Sequence, residues 1–213
     1  MEFTEMPLPS GDPLRSWNTY LAYHRSVLSS SSATVVGEIL DRIASRVGAI
    51  LNSGGRLLVA GNGGSASDAS HIVGELVASF AYERRGIDAI SLSANSTILT
   101  AWTNDHDSAS VFARQVEAHM RASDALLLLS TSGESVNVLR AAEAGRSIGG
   151  YIVGFTGAGP NGLSGLCDET VCAGSSFTPV VQEFHVVAYH YLCAAIERAC
   201  LSGQPVIPRY PKG

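Results

Sequence analysis

The sequence predicts an α/β fold: a parallel sheet of about five strands, helices on both faces, and helices ahead of the first strand. Three observations predict it. Short runs that are apolar throughout alternate with longer stretches whose apolar residues recur every three or four positions. Strands apolar on both sides belong in a parallel sheet that is covered on both faces. The chain of 213 residues is 46% hydrophobic and 15% charged, enough apolar matter for one core and too much for intrinsic disorder.

Residues 1–13 carry Pro7, Pro9, Gly11 and Pro13 and read as a loose arm. Leu14 to Leu28 has helical spacing, with Leu14, Trp17 and Leu21 on one side. After a serine-rich break, Ala33 to Leu51 predicts a stronger helix through Val36, Ile39, Leu40, Ile43, Val47 and Ile50. The rhythm then changes. Arg56-Leu57-Leu58-Val59-Ala60 is the first strand, and Gly61-Asn62-Gly63-Gly64-Ser65 leads into a helix. Residues 89–92 form the second strand and 125–129 the third, which runs through Ser130-Thr131-Ser132-Gly133 into a helix over about 134–147. Residues 151–155 form the fourth strand and 170–173 the fifth. A long helix over about 179–200 closes the series, with Thr178 suited to its N-cap and Pro179 to its first position. The division expected is an arm and helix over 1–32, one domain over 33–200 and a tail over 201–213.

Composition excludes several functions. The formal net charge is −5 and no basic run occurs, so a nucleic-acid surface is not expected. The single lysine, Lys212, stands near the end of the chain. Neither a Schiff-base lysine nor a P-loop lysine is available, and phosphate must be held by backbone N–H groups, hydroxyls or arginine. No run approaches the ~18–20 apolar residues of a membrane span. The polar, acidic start has no signal-peptide pattern, so a cytoplasmic protein is expected. Cysteines 167, 172, 193 and 200 form no C-x-x-C pair, and Cys193 and Cys200 read as small buried apolar residues.

In a parallel sheet, ligands bind beyond the carboxyl ends of the strands. Both loops found there join glycine to small hydroxyl residues at a helix start, where unpaired N–H groups and a partial positive charge suit an anion. Each loop is also compatible with plain turns and helix caps. The first lacks the third glycine of G-x-G-x-x-G, and the Ser-Thr-Ser run favours a sugar phosphate over a dinucleotide. His71 and Glu75, four apart, share a helix face; they can bind a divalent metal, act as an acid–base pair, or decorate a solvated surface. The last helix is apolar nearly all round and carries Gln182, Glu183, His185 and His190, whose polar groups need partners if buried. His24, His106 and His119 read as surface residues.

Taken in order, these segments resemble the phosphoheptose isomerases, also called sedoheptulose 7-phosphate isomerases, of the sugar isomerase (SIS) fold. The stretches that carry the resemblance are Gly61-Asn62-Gly63-Gly64-Ser65-Ala66 with His71 and Glu75, Leu99-Thr100-Ala101 with Asn104-Asp105, and residues 111–116. Ser130-Thr131-Ser132-Gly133-x-Ser135 with Asn137-Val138, and Gln182-Glu183-x-His185 with His190, complete them. They span roughly residues 33–200.

The resemblance implies an SIS-type three-layer sandwich with a parallel, flavodoxin-like sheet. It implies a ketose–aldose isomerase that converts sedoheptulose 7-phosphate to D-glycero-D-manno-heptose 7-phosphate through an enediol, with Glu75 and His190 as base and acid. Zinc, one per subunit, would be held by His71, Glu75, Gln182 and His190. Substrate contacts would fall on Asn62, Gly63, Gly64, Ser65, Asn104, Asp105, Ser130, Thr131, Ser132, Ser135 and Gln182. The implied assembly is a homotetramer with active sites between subunits. Three departures stand out: Ser79 where the family usually has arginine, Pro179 where it has aspartate, and Ser93-Ala94-Asn95-Ser96-Thr97 for Thr-Thr-Asp-Thr-Ser. They leave room for another sugar phosphate in a specialised pathway. A non-catalytic SIS protein-binding module is the other alternative; its known example lacks the glutamate and last histidine found here.

Overall fold

The computed structural model describes residues 13–29, 32–201 and 207–209. The expected arm, apart from Pro13, and Lys212 lie outside the described residues.

Helix α1 (Trp17–Leu28) starts at Ser16, whose hydroxyl accepts from Thr19 N at 3.2 Å, and it buries Tyr23 and Val27. Helix α2 (Ser32–Asn52) lays Val36, Ile39, Leu40, Ile43, Val47 and Ile50 into the core, the stripe its spacing predicts. The chain then alternates: β1 (Leu57–Gly61), α3 (Gly64–Val77), β2 (Ala89–Ser91), α4 (Ser96–Asp105), α5 (Val111–His119), β3 (Ala125–Ser130), α6 (Val136–Ile148), β4 (Tyr151–Thr156), β5 (Glu169–Cys172) and α7 (Thr178–Cys200).

The five strands pair in the order β2-β1-β3-β4-β5, all parallel. Successive side chains point to opposite faces. Leu57 and Val59 therefore enter one core with α1, α2, α3 and α7, while Leu58 and Ala60 enter the other with α5 and α6. This is the three-layer, flavodoxin-like arrangement expected. The chain leaves β1 for β2 on one side and then crosses to β3 on the other, so the carboxyl ends of β1 and β3, paired at Gly61 and Leu129, open a crevice between them.

Two helices between residues 93 and 124 had no counterpart in the sequence reading. Helix α4 buries no residue, so it has no apolar stripe to betray it; its start is set by Asn95, whose side chain accepts from Thr97 N and Ile98 N. Helix α5 has only 9 residues, too short for a repeating pattern to stand out.

One buried ion pair ties α7 to the segment after α3. Glu197, fully buried, accepts from Phe80 N (2.8 Å), Ala81 N (2.7 Å) and the Arg84 guanidinium (2.7 and 2.8 Å). Arg84 also donates to Glu75 O at 2.9 Å. With all these partners the charge is compensated; with one removed, the other charge is stranded. Glu197→Ala is therefore expected to destabilise the fold by about 3–5 kcal/mol in urea unfolding; a loss under about 1 kcal/mol would show that the segment is held by other contacts.

Candidate active site

The site begins with two strand-to-helix turns. At the first, Gly63 adopts a positive φ of 54° as the N-cap of α3, with no side chain capping the helix. A Cβ on Gly61 would lie 2.6 Å from Ser65 O, so only glycine lets strand and helix meet this closely. Helix geometry leaves the first N–H groups of α3 pointing into the crevice. At the second turn, Gly133 has φ 69°, Ser130 Oγ accepts from Gly133 N and donates to Ser135 Oγ (both 3.1 Å), and Ser132 Oγ accepts from Glu134 N at 3.1 Å. Helix α6 likewise starts without a side-chain cap. Ser65 and Ser130 are buried; Thr131 and Ser135 are half-buried and Ser132 is exposed. The turns are joined by Asn62 and Asn137, whose amides donate to one another at 2.8 and 2.9 Å. The result is a cradle of dipoles and hydroxyls with no lysine.

Beside it, α3 and α7 bring three predicted residues together. One donor atom each from His71, Glu75 and His190 lies within 4.8 Å of the others. His71 Nε2 is 2.9 Å from Glu75 Oε1, and the two imidazole rings stand edge to face with centroids 5.0 Å apart. Phe80 stacks on the other side of His190, 5.5 Å between centroids and 26° between planes.

Asp68 and Tyr189 join the site although Tyr189 stands among apolar neighbours on the last helix. The Tyr189 hydroxyl donates to Asp68 Oδ1 at 3.4 Å and lies 3.0 Å from His71 Nδ1. The hydroxyl thus bridges Asp68 and His71 Nδ1, which fixes the ring and turns Nε2 toward Glu75. Burial raises the pKa of both Asp68 and Tyr189. The i,i+3 spacing of Asp68 and His71 was the available signal.

The remaining predicted residues lie elsewhere. Gln182 is at the cradle: a Cβ on Gly64 would sit 2.2 Å from its Nε2. Along α7 it precedes His190 by about 12 Å of helix rise. Asn104 and Asp105 stand exposed at the end of α4, Asn104 Nδ2 donating to Asp105 Oδ1 at 2.8 Å. His24, read as a surface residue, is half-buried, with Nδ1 2.8 Å from Glu183 Oε2. His106 is exposed and stacks on Trp102; His119 is exposed.

The sequence model of the SIS domain family matches residues 19–157. The phosphoheptose isomerase of Streptomyces coelicolor is 46% identical over 166 residues, 78% of this chain and 72% of that protein. A solved phosphoheptose isomerase from Francisella tularensis superposes with a TM-score of 0.83 at 28% identity, covering 88% of this chain and all of the other. A second, from Neisseria gonorrhoeae, gives a TM-score of 0.77 at 28% identity, with 85% of this chain and 96% of the other covered. The chain belongs to the phosphoheptose isomerase family. It is an aldose–ketose isomerase whose relatives point to a sugar phosphate as substrate.

Against the family's pattern, the departures have plain local roles. Ser93 Oγ donates to Gly61 O (2.8 Å) and accepts from Gly61 N (3.2 Å), tying the end of β2 to the cradle. Pro179 sits in the first turn of α7, where a missing N–H costs nothing. Ser79 lies just past α3, with Arg209 against it. Among the described residues, no helix is long and apolar enough to cross a membrane. All four cysteines are free; burial pushes the Cys167 thiol up to about 12.

His185 anchors α7 under the site. Fully buried, it donates from Nε2 to Thr156 O at 3.1 Å, and burial pulls its pKa down to about 4. An unfolded histidine titrates near 6.5. The folded state thus refuses a proton that the unfolded state accepts, so this contribution is complete above about pH 6.5 and is lost as pH falls toward 4. Between pH 7 and 5 the loss is about 2 kcal/mol. His185→Gln, which can donate to Thr156 O and never charges, is expected to remove that part of the pH dependence in urea unfolding; an unchanged slope would contradict the neutral buried imidazole.

Proposed function

We propose that the protein interconverts sedoheptulose 7-phosphate and D-glycero-D-manno-heptose 7-phosphate through an enediol, with zinc at His71, Glu75 and His190. The observation that carries this reading is the gathering of those three side chains beside a lysine-free anion cradle.

The phosphate is assigned to the Ser130–Ser135 loop and the first turn of α3, where neutral donors and two helix N-termini would meet it. That leaves the carbon chain running along α3 toward Glu75. Glu75 then takes the proton from C1 or C2, and His190 serves the oxygen that gains or loses its proton. Glu75 is half-buried and its main chain is held by Arg84, so the base has a fixed carbonyl and a partly dry carboxylate.

The donor set suits zinc: two imidazoles and one carboxylate match the three-ligand pattern of catalytic sites rather than the four-ligand pattern of structural ones. The Tyr189–Asp68 bond network supports it, since it holds His71 by Nδ1 and turns Nε2 toward the other donors. The family resemblance implies Gln182, whose amide lies against Gly64, as a fourth donor, which would have to give way to substrate or share an expanded coordination. A bound zinc would polarise the substrate carbonyl and stabilise negative charge on its oxygen. We further infer a homotetramer with sites completed between subunits. Helix α4 buries nothing in the single chain, although Asn104 and Asp105 are assigned to the sugar. Trp17, Val187 and Tyr191 form exposed apolar surface on α1 and α7. The presence of both Glu75 and His190 argues against a non-catalytic binding module.

Glu75→Gln and His190→Ala, made separately, are each expected to lower kcat with sedoheptulose 7-phosphate by about 10²–10⁴-fold. Near-normal turnover in either variant would refute the role given to that residue. A parallel screen of C5, C6 and C7 ketose phosphates tests the sugar: preference for a shorter one would move the substrate while leaving the acid–base pair in place.

Tyr189→Phe keeps the ring and removes the hydroxyl that orients His71. Zinc affinity, measured by competition with a chromogenic chelator, is expected to fall about 10–100-fold. Unchanged affinity would mean that His71 is not a ligand or needs no orientation.

A further inference from the structure

Part of the expected tail, residues 207–209, returns to the segment beside the candidate active site. Residues 207–209 pair antiparallel with the segment that follows α3: Tyr82 bridges Pro208, Glu83 N donates to Ile207 O, and Arg209 N donates to Ala81 O, the last two at 3.0 Å. The Arg209 side chain continues the grip. Its Nη1 donates to Ser79 O at 2.6 Å and to Ser79 Oγ at 2.7 Å, and its Nε is 3.5 Å from Glu83 Oε1.

The gripped residues are Ser79 and Ala81, the two neighbours of Phe80. Phe80 is the ring stacked on His190. From the opposite side, Glu197 takes the N–H groups of Phe80 and Ala81. Phe80 is thus held by a buried carboxylate beneath and by an exposed strap above. The buried grip is part of the core. The strap makes no core contact of its own, and its guanidinium spends both of its strong bonds on one serine beside the ring.

We propose that Arg209 is a positioning residue for catalysis: it fixes Ser79 and Ala81 so that Phe80 stays stacked on His190 and holds that imidazole toward Glu75. A ring free to leave would let His190 sample orientations away from the reacting oxygen, and small misplacements of a catalytic group are costly. The inference rests on His190 acting in the isomerase reaction, so the test includes that reading separately.

The experiment compares wild-type protein, Arg209→Ala, Arg209→Lys, Phe80→Ala and the Arg209→Ala/Phe80→Ala pair on sedoheptulose 7-phosphate, with His190→Ala as reference. Arg209→Ala is expected to lower kcat about 3–10-fold with KM within about twofold. Arg209→Lys recovers most of it, because a single nitrogen makes both Ser79 bonds. The double variant is no slower than Phe80→Ala alone, since the arginine acts through the ring. The His190 ring-proton resonance, assigned by its absence in His190→Ala and shifted by the stacked phenyl, moves in Arg209→Ala and returns in Arg209→Lys. The proposal is overturned by unchanged kcat, by a raised KM at constant kcat (which would make Arg209 a substrate contact), by multiplicative losses in the double variant, or by a His190 signal that does not move. Should Arg209→Ala fail to fold, Ser79→Ala removes one of the two bonds and is expected to lower kcat about 2–3-fold with the same signal shift. If wild-type protein turns over and His190→Ala does not, a null result in Arg209→Ala counts against the strap alone; activity retained in His190→Ala counts against the underlying reading.

Discussion

The packing of α3 along α7 is the constraint on which the site depends. Helix α3 has two duties within a few turns: its first turn opens the anion cradle, and its middle carries His71 and Glu75. Helix α7 must run beside it in the same direction, so that Gln182 meets Gly64 near the start while Tyr189 and His190 meet His71 further on. The missing side chain at Gly64 leaves room for the Gln182 amide at the cradle. Cradle and acid–base group are thereby held at a fixed separation by helix rise, not by loop conformation. A rigid separation suits a substrate whose phosphate and reacting carbons lie at opposite ends of one chain.

Much of this was legible because it lay in simple periodicities. The strands are buried on both faces, so they appear as unbroken apolar runs, and α2 shows its stripe. His71 and Glu75 announce themselves by i,i+4 spacing. What remained hidden lacked any period. Helix α4 lays only Leu99 and Trp102, partly buried, against the core, and α5 has 9 residues. Tyr189 was counted as apolar since its neighbours are; its hydroxyl matters only once α3 is alongside. Phe80, Arg84 and Glu197 are far apart in sequence or lie in a loop, and only the folded chain makes Glu197 the acceptor for four N–H donors.

The cradle shows how composition shaped recognition. With no lysine among the described residues and Arg84 engaged by Glu197, the loops offer helix dipoles, backbone N–H groups and hydroxyls. Such donors are fixed by the backbone and carry little side-chain entropy, whereas a lysine must be immobilised to hold an anion. The reciprocal Asn62–Asn137 pair serves the same end, since it locks the two turns together before any ligand arrives.

Rigidity at the phosphate end leaves adjustment to the other end of α3. There the helix stops at Val77, and the chain passes over His190 as an irregular segment. An irregular segment orders a catalytic ring only if its backbone groups have partners. Those of Phe80 and Ala81 are met from within the core by Glu197, while Ser79 and Ala81 are met from outside by Arg209. The inner grip is shielded from solvent and resists change. The outer grip is exposed and sits on residues 207–209, away from the sheet. The proposed acid–base pair therefore stands between the cradle at one end of α3 and a doubly gripped segment at the other.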